Sequence, residues 1–328
     1  MANYKEIHGV NIQYRTGDAT AVIGDVWYNS STGLLKAYVG AGTWASGGNI
    51  NTARYGIVGT GTQTAAIAFG GYSNPPSAYH DETETYDGSS WTEVADMNTT
   101  SWVRGRAGTQ TAALATGGGT PPDSRSVNSE SWNGSAWTEG ANINTGRTVG
   151  SGGGTSTAAL VIGGYTADPN AARVANVESW NGSAWTEVAD INSTRDAMAQ
   201  AGTATASLTI GGDFGPPGRT ENVESWDGSS WTEVGDLNTA RSGLGGGPAS
   251  STSAIAFGGE TPSAKLAVTE EFDGSSWAEV ADLSTARRQM ASAGTSSLAL
   301  CAAGDAPPQS VATEEWALGA SVETVSFD

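Results

Sequence analysis

Apolar and polar positions in this chain alternate in short runs that never settle into a helical period, and one order of runs returns at a fixed interval. Residues 177–195, VESWNGSAWTEVADINSTR, carry the returning unit in full. Its second tryptophan recurs as Trp44, Trp91, Trp137, Trp185, Trp231 and Trp277, at steps of 46 to 48 residues. An interval of that size is the mark of stacked repeats, each of which buries its apolar face against the next. Within the unit, two aromatics flank a polar tetrapeptide, as in Trp180-Asn181-Gly182-Ser183-Ala184-Trp185, and Asp-Gly or Asn-Gly follows the first aromatic in the equivalents 86–91, 132–137, 226–231 and 272–277. Asn and Asp tolerate positive φ and Gly has no Cβ to clash, so the spacing predicts a β-hairpin closing each repeat.

A polar connection follows each hairpin and ends in Asn-Thr-X-Arg or a variant of it, giving Arg54, Arg147, Arg195, Arg241 and Arg287, with Ser101 in the second place. Next comes a run of small apolar residues closing on a glycine pair: Gly70-Gly71, Gly117-Gly118, Gly163-Gly164, Gly211-Gly212 and Gly258-Gly259, with Ala303 replacing the first glycine of the sixth. A continuous apolar run of this length reads as a strand buried on both faces. Slim residues on that strand and tryptophans on the hairpin after it form a size gradient. Blades radiating from an axis crowd near the centre and splay outside, so they require that gradient, whereas a two-sheet sandwich does not. The fold class predicted is all-β, a propeller of four-stranded antiparallel blades. First aromatics number seven, at Tyr38, Tyr86, Trp132, Trp180, Trp226, Phe272 and Trp316, and glycine-pair strands number six. Seven blades follow if the residues before Asn49 make a reduced blade and residues 321–328 supply the outer strand of the last. The alternative is six, with the N-terminal hairpin completing a final blade that lacks its second tryptophan. Either way the two ends of the chain meet, because closing the ring removes exposed sheet edges.

Composition sharpens this picture. Glycine makes up 46 of 328 residues with no collagen triplet, which indicates tight turns and close backbone approach. The net charge of −19 is spread along the chain, repels phosphate backbones and argues against nucleic-acid binding. The single cysteine, Cys301, sits in the apolar run LALCAAG and reads as a small core residue, so the fold does not rest on disulfides. Residues 1–13 lack the apolar core of a signal peptide, and no run reaches the length of a membrane span. Action outside a cell would then require lysis or export within a particle.

Gly163-Gly164, Trp180, Trp185 and Arg195 occupy the places of the glycine pair, the two aromatics and the arginine of the kelch repeat, and the chain resembles that family over roughly residues 34–316. Kelch propellers serve many roles, so the resemblance speaks to fold. Residues 24–44, GDVWYNSSTGLLKAYVGAGTW, are similar to a short hairpin motif of bacteriophage tail fibres and other virion proteins, and the whole chain looks like kelch-type virion proteins of marine phages. That resemblance implies a non-enzymatic virion component, assembled in the host cytoplasm and released by lysis. Residues 1–24 would dock to other virion proteins and residues 25–328 would form the propeller. The role implied is that of a tail-fibre or receptor-binding accessory, or alternatively of a capsid or tail decoration protein; a carbohydrate-processing enzyme is a second alternative.

In a four-stranded meander the turn between strands two and three leaves from the same face as the connection to the next blade. The turns vary and carry prolines, whereas the connections hardly vary, and variable loops on a rigid scaffold are where recognition concentrates. The candidate recognition residues are Tyr72, Asn74, Tyr79 and His80 in the first turn, Asp123 and Arg125 in the second, and Tyr165 and Asp168 in the third. Asp213, Phe214 and Arg219 belong to the fourth, Glu260 and Lys265 to the fifth, and Asp305 and Gln309 to the sixth. A host surface glycan or protein is the partner expected there; assembly into a homo-oligomer is a separate expectation, tied to no face.

The repeated arginine reads as half of a structural pair with repeated acids, or else as a ring of bases around the axis. Asp96, Asp190, Asp236 and Asp282 with Glu93, Glu139, Glu187, Glu233 and Glu279 read as a solvated face, since no calcium-loop spacing accompanies them. No cofactor or metal is expected. His8, His80 and Cys301 do not make a zinc or copper set, Asp227-Gly228 falls one residue short of a sialidase box, and no nucleophile elbow or phosphate loop occurs.

Overall fold

The computed structural model describes residues 13–16, 26–102, 105–122, 124–148, 151–166, 172–215, 218–247 and 250–325, and no helix occurs among them. The chain forms two compact units, Trp44–Trp316 and a smaller one of Met1–Thr43 with Ala317–Asp328.

The larger unit is a six-bladed propeller. Each blade is an antiparallel sheet, and in blades 1 to 5 the strands lie in chain order from the axis outward, as in blade 4 with Ala199–Gly202, Ser207–Ile210, Val223–Trp226 and Trp231–Glu233. The innermost strands of blades 1 to 6 are Val58–Thr62, Gly105–Thr109, Ser151–Thr155, Ala199–Gly202, Gly245–Gly246 and Ala291–Gly294. Each touches the next and the sixth touches the first, so the ring is closed. Six apolar clusters fill the six wedges between blades. That between blades 3 and 4, for example, joins Leu160 and Ile162 to Trp226 and Trp231.

The count of seven blades is therefore corrected to six. Residues 44–46, the end of strand Leu34–Ser46, form the outermost strand of blade 6 beside Thr313–Thr324 instead of belonging to a reduced blade. Trp44 is the second tryptophan that blade 6 lacked in its own sequence. Its Nε1 donates to Thr269 Oγ1 of blade 5 at 3.0 Å, just as Trp91 donates to Thr313 of blade 6 and Trp137 to Thr83 of blade 1, each at 2.9 Å. Trp44 also packs edge-on against Phe257 and tilted against Trp316. The expected outer strand from residues 321–328 does not occur: the blade's edge is already occupied, and residues 326–328 lie outside the described residues.

Local chemistry explains the unit. At each hairpin an Asn or Asp carboxyl-type oxygen caps the turn, as when Asn181 Oδ1 accepts the N–H groups of Ser183 and Ala184 while Gly182 takes φ +92°. The aromatics on either side then stack, Trp180 on Trp185 with centroids 5.2 Å apart. The glycine pair is a bulge at positive φ, with Gly163 at +55° and Gly164 at +113°. A Cβ on Gly163 would lie 2.6 Å from the Arg195 carbonyl oxygen. This closeness has a purpose, because the second glycine's N–H donates to the carbonyl of the arginine entering the next blade. The bond recurs from Gly71 to Ser101, Gly118 to Arg147, Gly164 to Arg195, Gly212 to Arg241, Gly259 to Arg287 and Gly304 to Arg54, and so runs once round the ring.

The arginine side chains settle the choice between a structural pair and a ring of bases. They are fully buried inside the blades, and each meets a buried glutamate on the third strand of its own blade: Arg54 with Glu84 at 3.0 Å, Arg195 with Glu224 at 2.5 Å, Arg241 with Glu270 at 3.0 Å, and likewise Arg147 with Glu178 and Arg287 with Glu314. In four of the five the second carboxylate oxygen accepts the backbone and side-chain N–H groups of the asparagine three residues before the arginine, as Glu224 does from Asn192 at 2.8 Å, and in blade 6 Glu314 accepts the backbone N–H of Ser284. In blade 2 the buried Ser101 stands at the arginine's place, and Glu130 still accepts from Asn98. Burial pulls Arg54, Arg147, Arg195 and Arg241 below their ordinary pKa, and the facing glutamate pulls each of them back up. The acids singled out from the repeat were not these. Glu93, Glu139, Glu187, Glu233 and Glu279 are exposed on the outermost strands.

In the smaller unit, Gln13–Arg15 runs parallel to Val26–Asn29, which turns through residues 30–33 into an antiparallel pairing with residues 34–37. Arg15 lies over the buried Trp27 ring at 5.2 Å. The Lys36 ammonium donates to Thr324 Oγ1 at 2.7 Å.

Candidate recognition face

The residue after each connecting arginine meets the residue after the same blade's glycine pair through a short antiparallel bridge. The six couples are Tyr55 with Tyr72, Trp102 with Gly119, Thr148 with Tyr165, Asp196 with Asp213, Ser242 with Glu260, and Arg288 with Asp305. The two-to-three turns and the inter-blade connections thus share one face of the propeller. The expectation that connections hardly vary is corrected at one position. The residue after the arginine differs in all six blades; Tyr55, Trp102 and Arg288 are half-buried there, while Thr148, Asp196 and Ser242 are buried.

Blades 1 to 3 place aromatics on this rim. Tyr72 packs edge-on against Tyr55 at 5.5 Å and Tyr79 at 5.2 Å, and Trp102 lies 5.9 Å from Tyr72. All four are half-buried. Tyr165 continues the arc between two guanidinium groups, Arg125 at 5.7 Å and Arg173 at 5.8 Å. Burial and the neighbouring Tyr72 hold the Tyr55 hydroxyl above its ordinary pKa.

From Arg173 the rim becomes ionic across blades 4 to 6. Arg173 reaches Asp196 and Asp213 at 3.2 Å each; Arg219 joins Asp213 at 2.5 Å to Glu260 at 2.7 Å; Arg288 joins Glu260 at 2.6 Å to Asp305 at 2.8 Å; Lys265 reaches Asp305 at 2.7 Å. Burial raises Asp196 to about 6, aided by Asp213 and opposed by Arg173. At Asp305 burial pushes upward, but the bonds from Lys265 and Arg288 outweigh it and hold the carboxyl low. Four acids and four bases in series make a locally neutral belt on an acidic protein, with geometry fixed by networked pairs.

The structure brings Tyr72, Tyr79, Arg125 and Tyr165 into the aromatic arc and Asp213, Arg219, Glu260, Lys265 and Asp305 into the ionic belt. Asn74 sits at an exposed tip where its carbonyl accepts from Gln309 Nε2 at 2.8 Å, joining the turns of blades 1 and 6. Phe214 is an exposed large apolar side chain at 47 %. His80 is placed differently: it is buried, with Nδ1 against the Glu82 carboxylate and Nε2 against Ser73 Oγ, because its strand turns that side chain inward. The bond to His80 holds Glu82 down at about 2. Asp123 and Asp168 lie outside the described residues, as does His8.

Sequence reasoning missed Tyr55, Trp102, Asp196, Arg173 and Arg288. Four of them occupy the position after the repeated arginine, and the spread of residue types there against an otherwise uniform connection was the available signal. Among the described residues no group of three or more His, Cys, Asp or Glu side chains is arranged to hold a metal ion. Among the described residues no helix is long and apolar enough to cross a membrane. No family model matches the chain, and no curated protein matches it.

Proposed function

We propose that this protein is a non-enzymatic, kelch-type virion component of a bacteriophage, a tail-fibre or receptor-binding accessory whose rim face contacts the host surface. The observation that carries this reading is the contrast between a strictly repeated scaffold and a rim where each blade differs. Five aromatic side chains on one arc and a self-neutralised ionic belt on the other suit a large polar partner such as a surface glycan or protein, which stacks on rings and exchanges hydrogen bonds with fixed charges. The acids of the belt are each engaged by a base, which suits binding better than proton transfer. Tail-fibre identity and a place in the virion come from the resemblance of residues 24–44.

The test is adsorption competition with purified full-length chain. Native protein is expected to bind host cells and slow phage adsorption, and the double variant Tyr72→Ala/Trp102→Ala to lose at least about tenfold in apparent affinity, the usual weight of two aromatic anchors. Attachment is refuted if the native protein neither binds host cells nor competes with phage adsorption. The presence of a second compact unit in the chain supports an anchoring role, and a density map of the particle placing the chain on the head would favour decoration over attachment.

A further inference from the structure

One charged side chain lies apart from the rim and from the buried pairs. The innermost strands place Gly59, Arg106, Gly152, Gln200, Gly246 and Ser292 at one register around the axis. Arg106 is the sole ionisable residue of these six strands. Its Nη2 donates to Ser292 Oγ at 2.7 Å. Blade 1 stands between blades 2 and 6 in the ring, so the arginine makes this bond by reaching past blade 1, where Gly59 carries no side chain. Gln200 is turned away, with Nε2 on Ser207 Oγ and Ala201 O of its own blade.

Guanidinium carries five N–H donors in a planar fork, and here one of them has a protein acceptor. Arg106 Nε and Nη1 meet no acceptor among the described residues, and no carboxylate faces the group. Protein surrounds it closely enough that burial alone draws its pKa down to about 10, with no acid pulling back, in contrast to Arg54, Arg147, Arg195 and Arg241. It is charged at neutral pH all the same. The innermost strands are also the free edges of their sheets, so alternate N–H groups are directed away from the blades. A fixed cation with open fork donors and a hydroxyl beside it make a receptor for a small anion.

We propose that Arg106 and Ser292 form an axial site for a small oxyanion of the carboxylate or phosphate class. The site is separate from the rim and stands or falls independently of the attachment reading. The probes are inorganic phosphate, sulfate and acetate, each compared with chloride at matched ionic strength on the full-length chain, by thermal unfolding and calorimetric titration. At ten times its dissociation constant an effective anion raises the unfolding midpoint by about 2–4 °C. Arg106→Gln abolishes that rise, and Ser292→Ala weakens binding about threefold to tenfold. If Arg106→Gln does not fold, Arg106→Lys serves instead: it keeps the charge, loses the planar fork and is expected to bind at least about fivefold more weakly. Equal midpoints for all four anions overturn the proposal, as does an anion effect that persists in Arg106→Gln or is undiminished in Arg106→Lys. Phosphate and sulfate acting without acetate assigns the site to tetrahedral oxyanions, and acetate acting equally assigns it to carboxylates.

Discussion

Arg195→Met and Glu224→Gln, alone and together, test what holds a blade to its own connection. Arg195 is fully buried and places Nη2 on Glu224 at 2.5 Å and Nη1 on the carbonyl oxygens of Gly211 at 3.0 Å and Asn222 at 2.8 Å. Removing it strands a buried carboxylate on two asparagine N–H groups and takes the arginine donor from the Gly211 carbonyl, while the Asn222 carbonyl keeps the Gly211 N–H. Breaking one side of a buried pair costs about 3–5 kcal/mol. Glu224→Gln removes the charge that balances Arg195, and whichever way the amide turns, its NH2 faces donors, either the guanidinium or Asn192. A similar loss of about 3–4 kcal/mol is expected. In the double variant neither charge is left stranded, so the loss falls short of the sum by at least about 2 kcal/mol. The assay is chemical denaturation of the purified chain followed by tryptophan fluorescence, with thermal midpoints expected to fall about 6–10 °C in each single variant. Single losses below about 1 kcal/mol, or strict additivity, would show that the pair is solvated and refute the reasoning.

Three further outcomes follow from other parts of the ring. Ala303 holds φ +60° where five blades have glycine, so Ala303→Gly is expected to raise stability by up to about 1 kcal/mol in the same assay, and a loss would show that its methyl packing outweighs the strain. Asp196, raised to about 6, retains a proton in the folded state over a range where the unfolded chain has released it, so its contribution is present at low pH and is lost as pH rises through about 4 to 6. Stability measured from pH 7 down to pH 5 should therefore gain about 1–2 kcal/mol from this group, a gain that Asp196→Asn flattens. Trp44→Ala removes the indole that bridges Phe257, Trp316 and Thr269, with an expected cost of about 3 kcal/mol; a cost no larger than that of an exposed tryptophan would mean that blade 6 closes without it.

The fold was legible because its signals are local. Indole spacing, Asn-Gly and Asp-Gly turns and glycine pairs each act within a few residues of where they are written. The blade count was less so, since Tyr38 looks like a first aromatic by spacing although its strand runs on without a break through Trp44 to Ser46. The buried glutamates were not identified, for a related reason. Glu178 stands two residues before Trp180 and therefore on the same buried face of the strand, but a carboxylate is ordinarily taken to face water, and its partner Arg147 lies 31 residues earlier, a link that alternation does not reveal. Rim and axis were hardest to read, because Tyr55 with Trp102, or Arg106 with Ser292, become neighbours only after the ring has closed.

The strand that completes blade 6 is made before the rest of that blade. Residues 44–46 leave the ribosome well ahead of Thr313 and Trp316, whose arrival they await across five intervening blades. During synthesis their free edge and the Trp44 indole must stay soluble without a partner, so the last few residues of the unit govern when the whole ring becomes cooperative. A ribosome-stalled chain ending before residue 313 would accordingly be far more open to proteolysis than one extended past residue 316, although it already contains five complete blades.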